Sequence, residues 1–400
     1  MSAADEPDYD LATRLVHHDY EPPMPFGGLN VGIHHASTVA FPTMAALRSR
    51  DPMQETGYTY GLHGTPTSYT LAKRIASLDG GTNALLQPSG LASITLIDLA
   101  LLSQGDRVLI PDNVYNPSRD FALKTLAGFG IETVFYDPTD LATLESAIDA
   151  RTRLIWIETP GSVTMEVPDV PAIVALAKRH GAITAIDNTW AAGVYFRPFD
   201  HGVDIVMHAL SKYPSGASDV MMGAVSTRDP ALHQRLKATQ LRLGLYVAPD
   251  DCYLMLRGLG TLDLRLERSG ANALALARWC EARPEVRAVL HPAFPSCPGH
   301  AIWKRDFSGA SGLFSIVLDG TFDEARVDAL MDALVLFKLG YSWGGIHSLA
   351  VSYAVGRRGG PSRLAWKHDG SVVRFYAGTE SVADLTADLE QAFARLHART

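Results

Sequence analysis

Two charged residues stand where buried strands should not hold them. The apolar run Ile183-Thr184-Ala185-Ile186 stops at Asp187, and Val203-Asp204-Ile205-Val206-Met207 leads through His208-Ala209-Leu210-Ser211 to Lys212. Buried strands of parallel sheets read as near-continuous apolar runs. Ligands of such sheets bind beyond the carboxyl ends of the strands. Neighbouring strands would therefore set an acid and an amine on one functional face. Singly, each residue has a plain explanation. An Asp at a strand end is a turn former or helix cap, and a Lys after a strand is a solvated charge. Lys212 resists that explanation, because Ser211, Tyr213 and Pro214-Ser215-Gly216 surround it with hydroxyls and turn formers, the setting of an active-site loop.

Other residues could complete a site. Ser89-Gly90-Leu91-Ala92 lies between an apolar run and a helical one. A helix N-terminus there offers unpaired N–H groups and a positive dipole end, which suit a phosphate. Glycine lets the backbone come close, and Ser211 could add a hydroxyl. Tyr115 lies in the loop Asp112-Asn113-Val114-Tyr115-Asn116-Pro117, where a flat ring could pack or stack on a flat ligand. Arg374 falls inside the late apolar run Val372-Val373-Arg374-Phe375. A buried arginine needs an anion, either a structural carboxylate or that of a bound amino acid. One cofactor uses a lysine amine as a Schiff base, an acid at a ring nitrogen and a phosphate cup: pyridoxal 5'-phosphate.

The surrounding elements fit that arrangement. From Asn83 the chain alternates short apolar runs with helical periodicity. Strands are expected at Ala84–Gln87, Arg107–Ile110, Thr133–Tyr136, Leu154–Glu158 and Val220–Val225, besides the two above. Helices are expected from Thr67 to Leu78, Leu91 to Leu102, about Ser118 onward and Val170 to Arg179. This order predicts an α/β domain with a mostly parallel sheet. A helix-rich segment from about Ala231 to Ala282 leads to a smaller domain, with strands Leu313–Leu318 and Val372–Phe375 and a helix Asp323–Leu334. Residues 1 to about 60 read as an extended arm, broken by Pro22-Pro23-Met24-Pro25 and Gly27-Gly28.

Composition bounds the rest. A chain of 400 residues, 47% hydrophobic and without low-complexity tracts, is globular. No apolar stretch approaches a membrane span, and the acidic start Met1–Asp10 argues against a signal peptide. A net charge of −8 without a basic cluster makes nucleic acid an improbable partner. Cys252, Cys280 and Cys297 are too few and too scattered for a disulfide framework or metal site, and fit a reducing cytoplasm. The pairs His17-His18 and His34-His35 lack a third ligand at metal spacing, so no metal is expected.

These residues carry a resemblance. The chain resembles the cysteine/methionine-metabolism family of fold-type-I pyridoxal-phosphate enzymes, over nearly its whole length. The matching strings include Tyr60-Gly61, Pro88-Ser89-Gly90, Tyr115-Asn116-Pro117-Ser118, and Glu158-Thr159-Pro160-Gly161-Ser162 with Thr164-Met165-Glu166-Val167. They continue through Asp187-Asn188-Thr189-Trp190-Ala191-Ala192-Gly193, Ser211-Lys212-Tyr213, Arg257-Gly258-Leu259 and Trp303-Lys304-Arg305-Asp306-Phe307. They end with Ser311-Gly312-Leu313-Phe314-Ser315 and Tyr341-Ser342-Trp343-Gly344-Gly345. The last string looks like the bacterial cystathionine β-lyases rather than the γ-lyases or γ-synthases.

The resemblance implies an aspartate aminotransferase-like fold: an extended arm (1–60) reaching a neighbouring subunit, a large cofactor-binding domain (61–255), and a connector helix with a small C-terminal α/β domain (256–400). It implies that Lys212 holds the cofactor as a Schiff base and acts as the base, that Asp187 pairs with the ring nitrogen, and that Tyr115 stacks on the ring. Ser89, Gly90, Leu91 and Ser211 would hold the phosphate, with Tyr60 arriving from another subunit of a homo-oligomer, a tetramer built as a dimer of dimers. Tyr60 or Tyr115 would manage the amine proton. Arg374 and Ser342 would take the substrate carboxylate, in a pocket shaped by Trp343 and Tyr115. The implied reaction is β-elimination of cystathionine to homocysteine, pyruvate and ammonia, a step of methionine biosynthesis. Competing readings are a broader cysteine-S-conjugate β-lyase, a γ-lyase on cystathionine or methionine, and a non-catalytic relative with a binding role. Two positions depart from the pattern. Where the family usually has an arginine for the phosphate, two residues after Tyr60, this chain has Leu62, followed by His63. Many relatives carry asparagine at Ser162, although the bacterial β-lyases share the serine.

Overall fold

The computed structural model describes residues 9–17, 20, 24–54, 57–355, 366 and 368–397. The first eight residues, His18 and the Pro22-Pro23 half of the arm's proline run lie outside the described residues. Among the described residues no helix is long and apolar enough to cross a membrane.

Seven strands form the large sheet: β1 (Asn83–Gln87), β2 (Arg107–Pro111), β3 (Glu132–Tyr136), β4 (Thr152–Glu158), β5 (Ile183–Asp187), β6 (Ile205–His208) and β7 (Gly223–Thr227). Their spatial order is β1-β7-β6-β5-β4-β2-β3. The pairs β2–β3, β2–β4, β4–β5 and β5–β6 are parallel, and β7 runs antiparallel to both its neighbours. Alternate residues of each strand enter different cores, as the two-residue period requires. Ile155, Ile157, Ile186 and Val206 join one apolar cluster, while Leu154, Trp156, Ala185, Ile205 and Met207 join another on the opposite face. The helix Pro66–Asp79 and the helix Val170–Arg179 supply the first cluster, and the helix Gly90–Leu101 the second.

The sequence-based expectations differ from the structure in instructive places. The strand expected at Val220–Val225 starts at Gly223 instead. Ser211 explains this: its N–H and hydroxyl both donate to the Met222 carbonyl, and its hydroxyl accepts from the Met222 N–H. The stretch ending at Met222 is thus tied to the Lys212 turn rather than to the sheet. The helix expected from Ser118 begins at Asn116, because Pro117 occupies its first turn, where the missing N–H costs nothing. The arm is not extended throughout, since Leu11–Val16 and Met44–Arg48 are helical.

A second, five-stranded sheet has the order β10-β11-β12-β9-β8, with β8 (Val286–Leu290), β9 (Leu313–Leu318), β10 (Lys338–Leu339), β11 (Leu349–Tyr353) and β12 (Val372–Tyr376). Only β9 and β12 were expected from sequence. The helices Leu262–Glu281, Glu324–Ala333 and Val382–Phe393 cover one face of it, burying Leu276, Leu330 and Leu389 against Phe314, Val373 and Phe375. Polar contacts dock this sheet onto the large one. Trp190 Nε1 donates to the Leu313 carbonyl (3.2 Å), Ser315 Oγ to the Val163 carbonyl (2.6 Å), and the Gly312 N–H to Tyr213 Oη (2.9 Å). The seam between the two sheets runs past Lys212.

Candidate active site

Lys212 sits in a turn that its neighbours hold rigid. The Lys212 N–H donates to the Ala209 carbonyl at 3.1 Å, and Ser215 Oγ donates to the carbonyls of Ser211 and Lys212. Tyr213 is fully buried, its ring 5.5 Å from Trp343 and 6.0 Å from Tyr376. The lysine side chain leaves this anchor toward the second sheet's loop. Its Nζ donates to Ser342 Oγ at 2.9 Å and lies 5.5 Å from the Trp343 ring centroid. Gly344 presses on the backbone beneath. A Cβ there would come within 2.8 Å of Lys212 Cα, and its φ of +92° favours glycine independently. Burial pushes the Lys212 amine down to about 8; Arg374 adds to the shift and Asp187 opposes it.

Asp187 ends β5, in register with Glu158 of β4 and Met207 of β6. Its Oδ1 accepts from both the N–H and the hydroxyl of Thr189, and Thr189 Oγ1 accepts from the Ala209 N–H at 2.9 Å. The acid's support is therefore continuous with the Lys212 turn. Burial raises the Asp187 carboxyl above its ordinary range, while the Thr189 bonds and the charges of His208 and Lys212 pull it back. On the next strand, Glu158 Oε2 accepts from the Tyr115 N–H at 2.7 Å, fixing the residue that opens the helix Asn116–Phe121. The Tyr115 side chain stays half open. Its phenol is raised by burial, then by Asp187 and Glu158, with Arg374 opposing.

Arg374 is 5% exposed, yet among the described residues no carboxylate pairs with it. Its guanidinium donates to the carbonyls of Ser162 and Tyr341 and lies 5.3 Å from the Tyr353 ring centroid. Burial pushes its pKa below the ordinary guanidinium value, yet a guanidinium keeps its charge in proteins. A cation held only by carbonyl groups retains its demand for an anion.

An anion cup lies beside Lys212. Ser89 caps the helix Gly90–Leu101, its Oγ accepting from the Ala92 N–H at 3.0 Å. The Gly90 and Leu91 amides are left outside the helix's own bonding, as first-turn amides are. Gly90 makes this cup possible, since a Cβ there would lie 2.6 Å from the Ala209 Cβ. Ser211 adjoins the cup with its hydroxyl engaged by Met222.

Tyr60 is the sequence candidate with no described contact to this cluster. It is 45% exposed, and its ring partner is His63 at 5.9 Å. Leu62 and His63 line a separate small cavity with Lys237, Gln240 and Tyr246. Burial lowers the His63 pKa below 6.5, helped by the charges of Lys237 and Arg50, so the ring is neutral at pH 7. The structure thus argues against His63 as a protonated stand-in for an arginine. Sequence reasoning also passed over Glu158 and Gly344. Glu158 ends an apolar run just as Asp187 does, so the signal was available. Gly344 gives no such sign, because its neighbour Lys212 is remote in sequence.

Lys212 contacts Ser342 and Trp343 and feels the charges of Asp187 and Arg374, which also act on Tyr115, while the Ser89–Leu91 cup meets the Lys212 turn where Gly90 packs on Ala209. An amine, an acid, an aromatic ring and a phosphate cup are the donor set that pyridoxal phosphate requires. The comparisons agree. Residues 12–394 match the model of the Cys/Met metabolism PLP-dependent enzymes. A putative cystathionine β-lyase of Rhizobium johnstonii is 47% identical over 388 residues, 96% of each chain. The cystathionine β-lyase of Salmonella typhimurium is 37% identical over 398 residues, covering 97% of this chain and 99% of that one. The crystal structure of cystathionine γ-synthase from Xanthomonas oryzae pv. oryzae, in complex with aminoacrylate and cysteine, superposes with a TM-score of 0.87 at 31% identity, covering 97% and 98% of the two chains. The chain belongs to the Cys/Met metabolism family of pyridoxal-phosphate-dependent enzymes.

Proposed function

We propose that this enzyme is a carbon–sulfur lyase that cleaves cystathionine by β-elimination, releasing homocysteine, pyruvate and ammonia. The observation that carries the reading is Lys212: an amine with a pKa near 8, poised between Asp187 and the Ser342–Trp343 loop, with a buried, anion-free Arg374 nearby. The bound cofactor supplies an electron sink for negative charge developing at the substrate Cα. Lys212 takes the Cα proton, a task suited to an amine whose pKa lies near the working pH, and returns a proton to the leaving sulfur. Asp187 holds a proton at the ring nitrogen by placing an opposite charge beside it. Tyr115 would stack on the cofactor ring. Ser89, Gly90, Leu91 and Ser211 take the phosphate; Ser211 must turn its hydroxyl from Met222 to do so. Arg374 and Ser342 take the substrate carboxylate, and Trp343 and Tyr115 bound its pocket. Tyr60 or Tyr115 moves the amine proton.

The names of the β-lyase relatives and the Tyr341-Ser342-Trp343 string favour β- over γ-elimination. Product identification tests this directly: cystathionine should yield pyruvate, whereas 2-oxobutyrate would assign a γ-lyase instead. A second reading, a β-lyase of broader cysteine-S-conjugate range, predicts faster turnover of other thioethers than of cystathionine.

The working form is read as a homo-oligomer, a dimer of dimers, in the cytoplasm. Tyr60 stands exposed away from the lysine of its own chain, and Met24, Phe26 and Leu29 of the arm are more than 80% exposed, both as expected if the arm (1–60) packs on a second copy beside the large (61–255) and small (256–400) domains. Free thiols at Cys252, Cys280 and Cys297 suit a reducing compartment.

A further inference from the structure

We infer that a buried pair, Asp79 and His208, is a positioning element for the reaction: it sets a fixed positive charge behind Asp187 and keeps that carboxylate ionised. The inference rests on the reading of Asp187 as the partner of the cofactor ring nitrogen.

His208 ends β6, four residues before the reacting amine, and is 2% exposed. Asp79 is the last residue of the helix Pro66–Asp79 and is fully buried. His208 Nε2 bonds to Asp79 Oδ1, and Ser226 Oγ on β7 donates to Oδ2 at 2.9 Å. The fold leaves no slack here: a Cβ at Gly193 would lie 3.0 Å from Asp79 Oδ1. Among the described residues His208 is the only basic group paired with Asp79. Arg197 and Arg228 approach the adjacent Gly80 but pair with Asp200. A carboxylate removed from water requires a cation, and this one, at a helix C-terminus, has the unfavourable end of the dipole as well. Asp79 faces His208 from its helix and β7 offers a neutral hydroxyl, while Asp187 on β5 is paired in register with Met207, the residue before His208, so its carboxylate lies one strand away and acts on the ring through its charge. Burial works against a charged ring, but the charge and hydrogen bond of Asp79, with the charge of Asp187, outweigh it and raise the His208 pKa.

Asp187 needs such a neighbour. Its burial favours the neutral acid, which could not hold a proton at the ring nitrogen. Of the two cations that oppose this, Lys212 is the reacting amine and cannot serve as a constant counter-charge. His208 touches no reacting atom and can. The hydroxyl of Thr189 steadies the carboxylate's position, and His208 steadies its charge.

The test uses the holoenzyme labelled with 15N-histidine, the His208 signals being assigned by their loss in His208→Gln. Both ring nitrogens should be protonated at pH 8, where a free imidazole is neutral. His208→Gln and Asp79→Asn should each speed cofactor loss on dialysis roughly tenfold, the effect of losing one hydrogen bond to a charged group. The double variant should be no worse than either single one, because the pair acts as a unit. A purely packing role would lower the melting temperature and leave cofactor retention unchanged. A neutral His208 at pH 8 in the wild-type enzyme overturns the inference even if the variants fail to fold, and so does unchanged retention in both. Asp187→Asn separates this from the underlying reading. If it keeps the cofactor and its spectrum, the assignment of Asp187 falls; if it loses them while His208→Gln does not, only the His208 inference falls.

Discussion

Replacing Lys212 by methionine should abolish turnover and, at the same time, stabilise the cofactor-free chain near neutral pH. The amine is charged at pH 7 in both folded and unfolded states, but the folded site disfavours that charge. Burial strips its hydration and Arg374 repels it, so its pKa falls from 10.5 to about 8. At about 1.4 kcal/mol per pH unit, that gap corresponds to about 3 kcal/mol. Solvent screening at a partly open site reduces it to roughly 1–3 kcal/mol. The direction in pH follows from proton counting. Between about 8 and 10.5 the unfolded chain holds the Lys212 proton and the folded chain does not, so this lysine's contribution makes stability rise with pH across that window. Methionine carries no proton, so the variant's advantage is full below pH 8 and shrinks toward 10.5. Loss of the Lys212–Ser342 hydrogen bond subtracts about 1 kcal/mol. Urea unfolding of the two apoproteins at pH 7 and pH 9 measures the difference. A stability difference between variant and wild type that does not shift toward wild type from pH 7 to pH 9 would refute the account of Lys212 as a buried amine held against its solvation.

Arg374→Ala should weaken substrate binding by roughly 2–5 kcal/mol, the range for truncating one partner of a buried charge pair. Steady-state kinetics should find it in KM, and an unchanged KM would make Arg374 structural. Gly344→Ala forces a Cβ to within 2.8 Å of Lys212 Cα at a φ of +92°. It should cost about 1–3 kcal/mol in unfolding experiments and lower kcat by displacing the Ser342 loop; normal kcat would mean that the loop's seat on Lys212 is dispensable. Leu62→Arg should slow cofactor loss on dialysis, because a guanidinium adds charge and paired donors for a phosphate. His63→Ala should leave retention at pH 7 unchanged, since that ring is already neutral beside Lys237 and Arg50; faster loss would restore it as a phosphate donor.

The candidate site residues were legible because each interrupts a local pattern. Asp187 and Lys212 follow apolar runs that core packing alone would have continued or capped with a turn, and Arg374 sits inside one. Gly90 was legible because a strand–helix junction announces unpaired amides. The partners that tune these residues were not legible, because packing chooses them across the chain. Gly344 meets Lys212 only once the second sheet docks on the first. The His63 pKa is lowered by burial and then by Lys237, which comes from a later helix. Asp79 looks like an ordinary end to its helix until β6 carries His208 beneath it. The same distinction separates a site from a well-packed seam. Asp187 has Thr189 and the charge of His208, and Asp79 has His208 and Ser226, so the fold itself answers those charges. Arg374 is 5% exposed, and its described hydrogen-bond partners are two carbonyls. Carbonyls satisfy its N–H groups but not its charge. A fold that keeps such a cation beside a lysine with a lowered pKa bears a cost that folding alone does not explain, and an anionic substrate group arriving between them does.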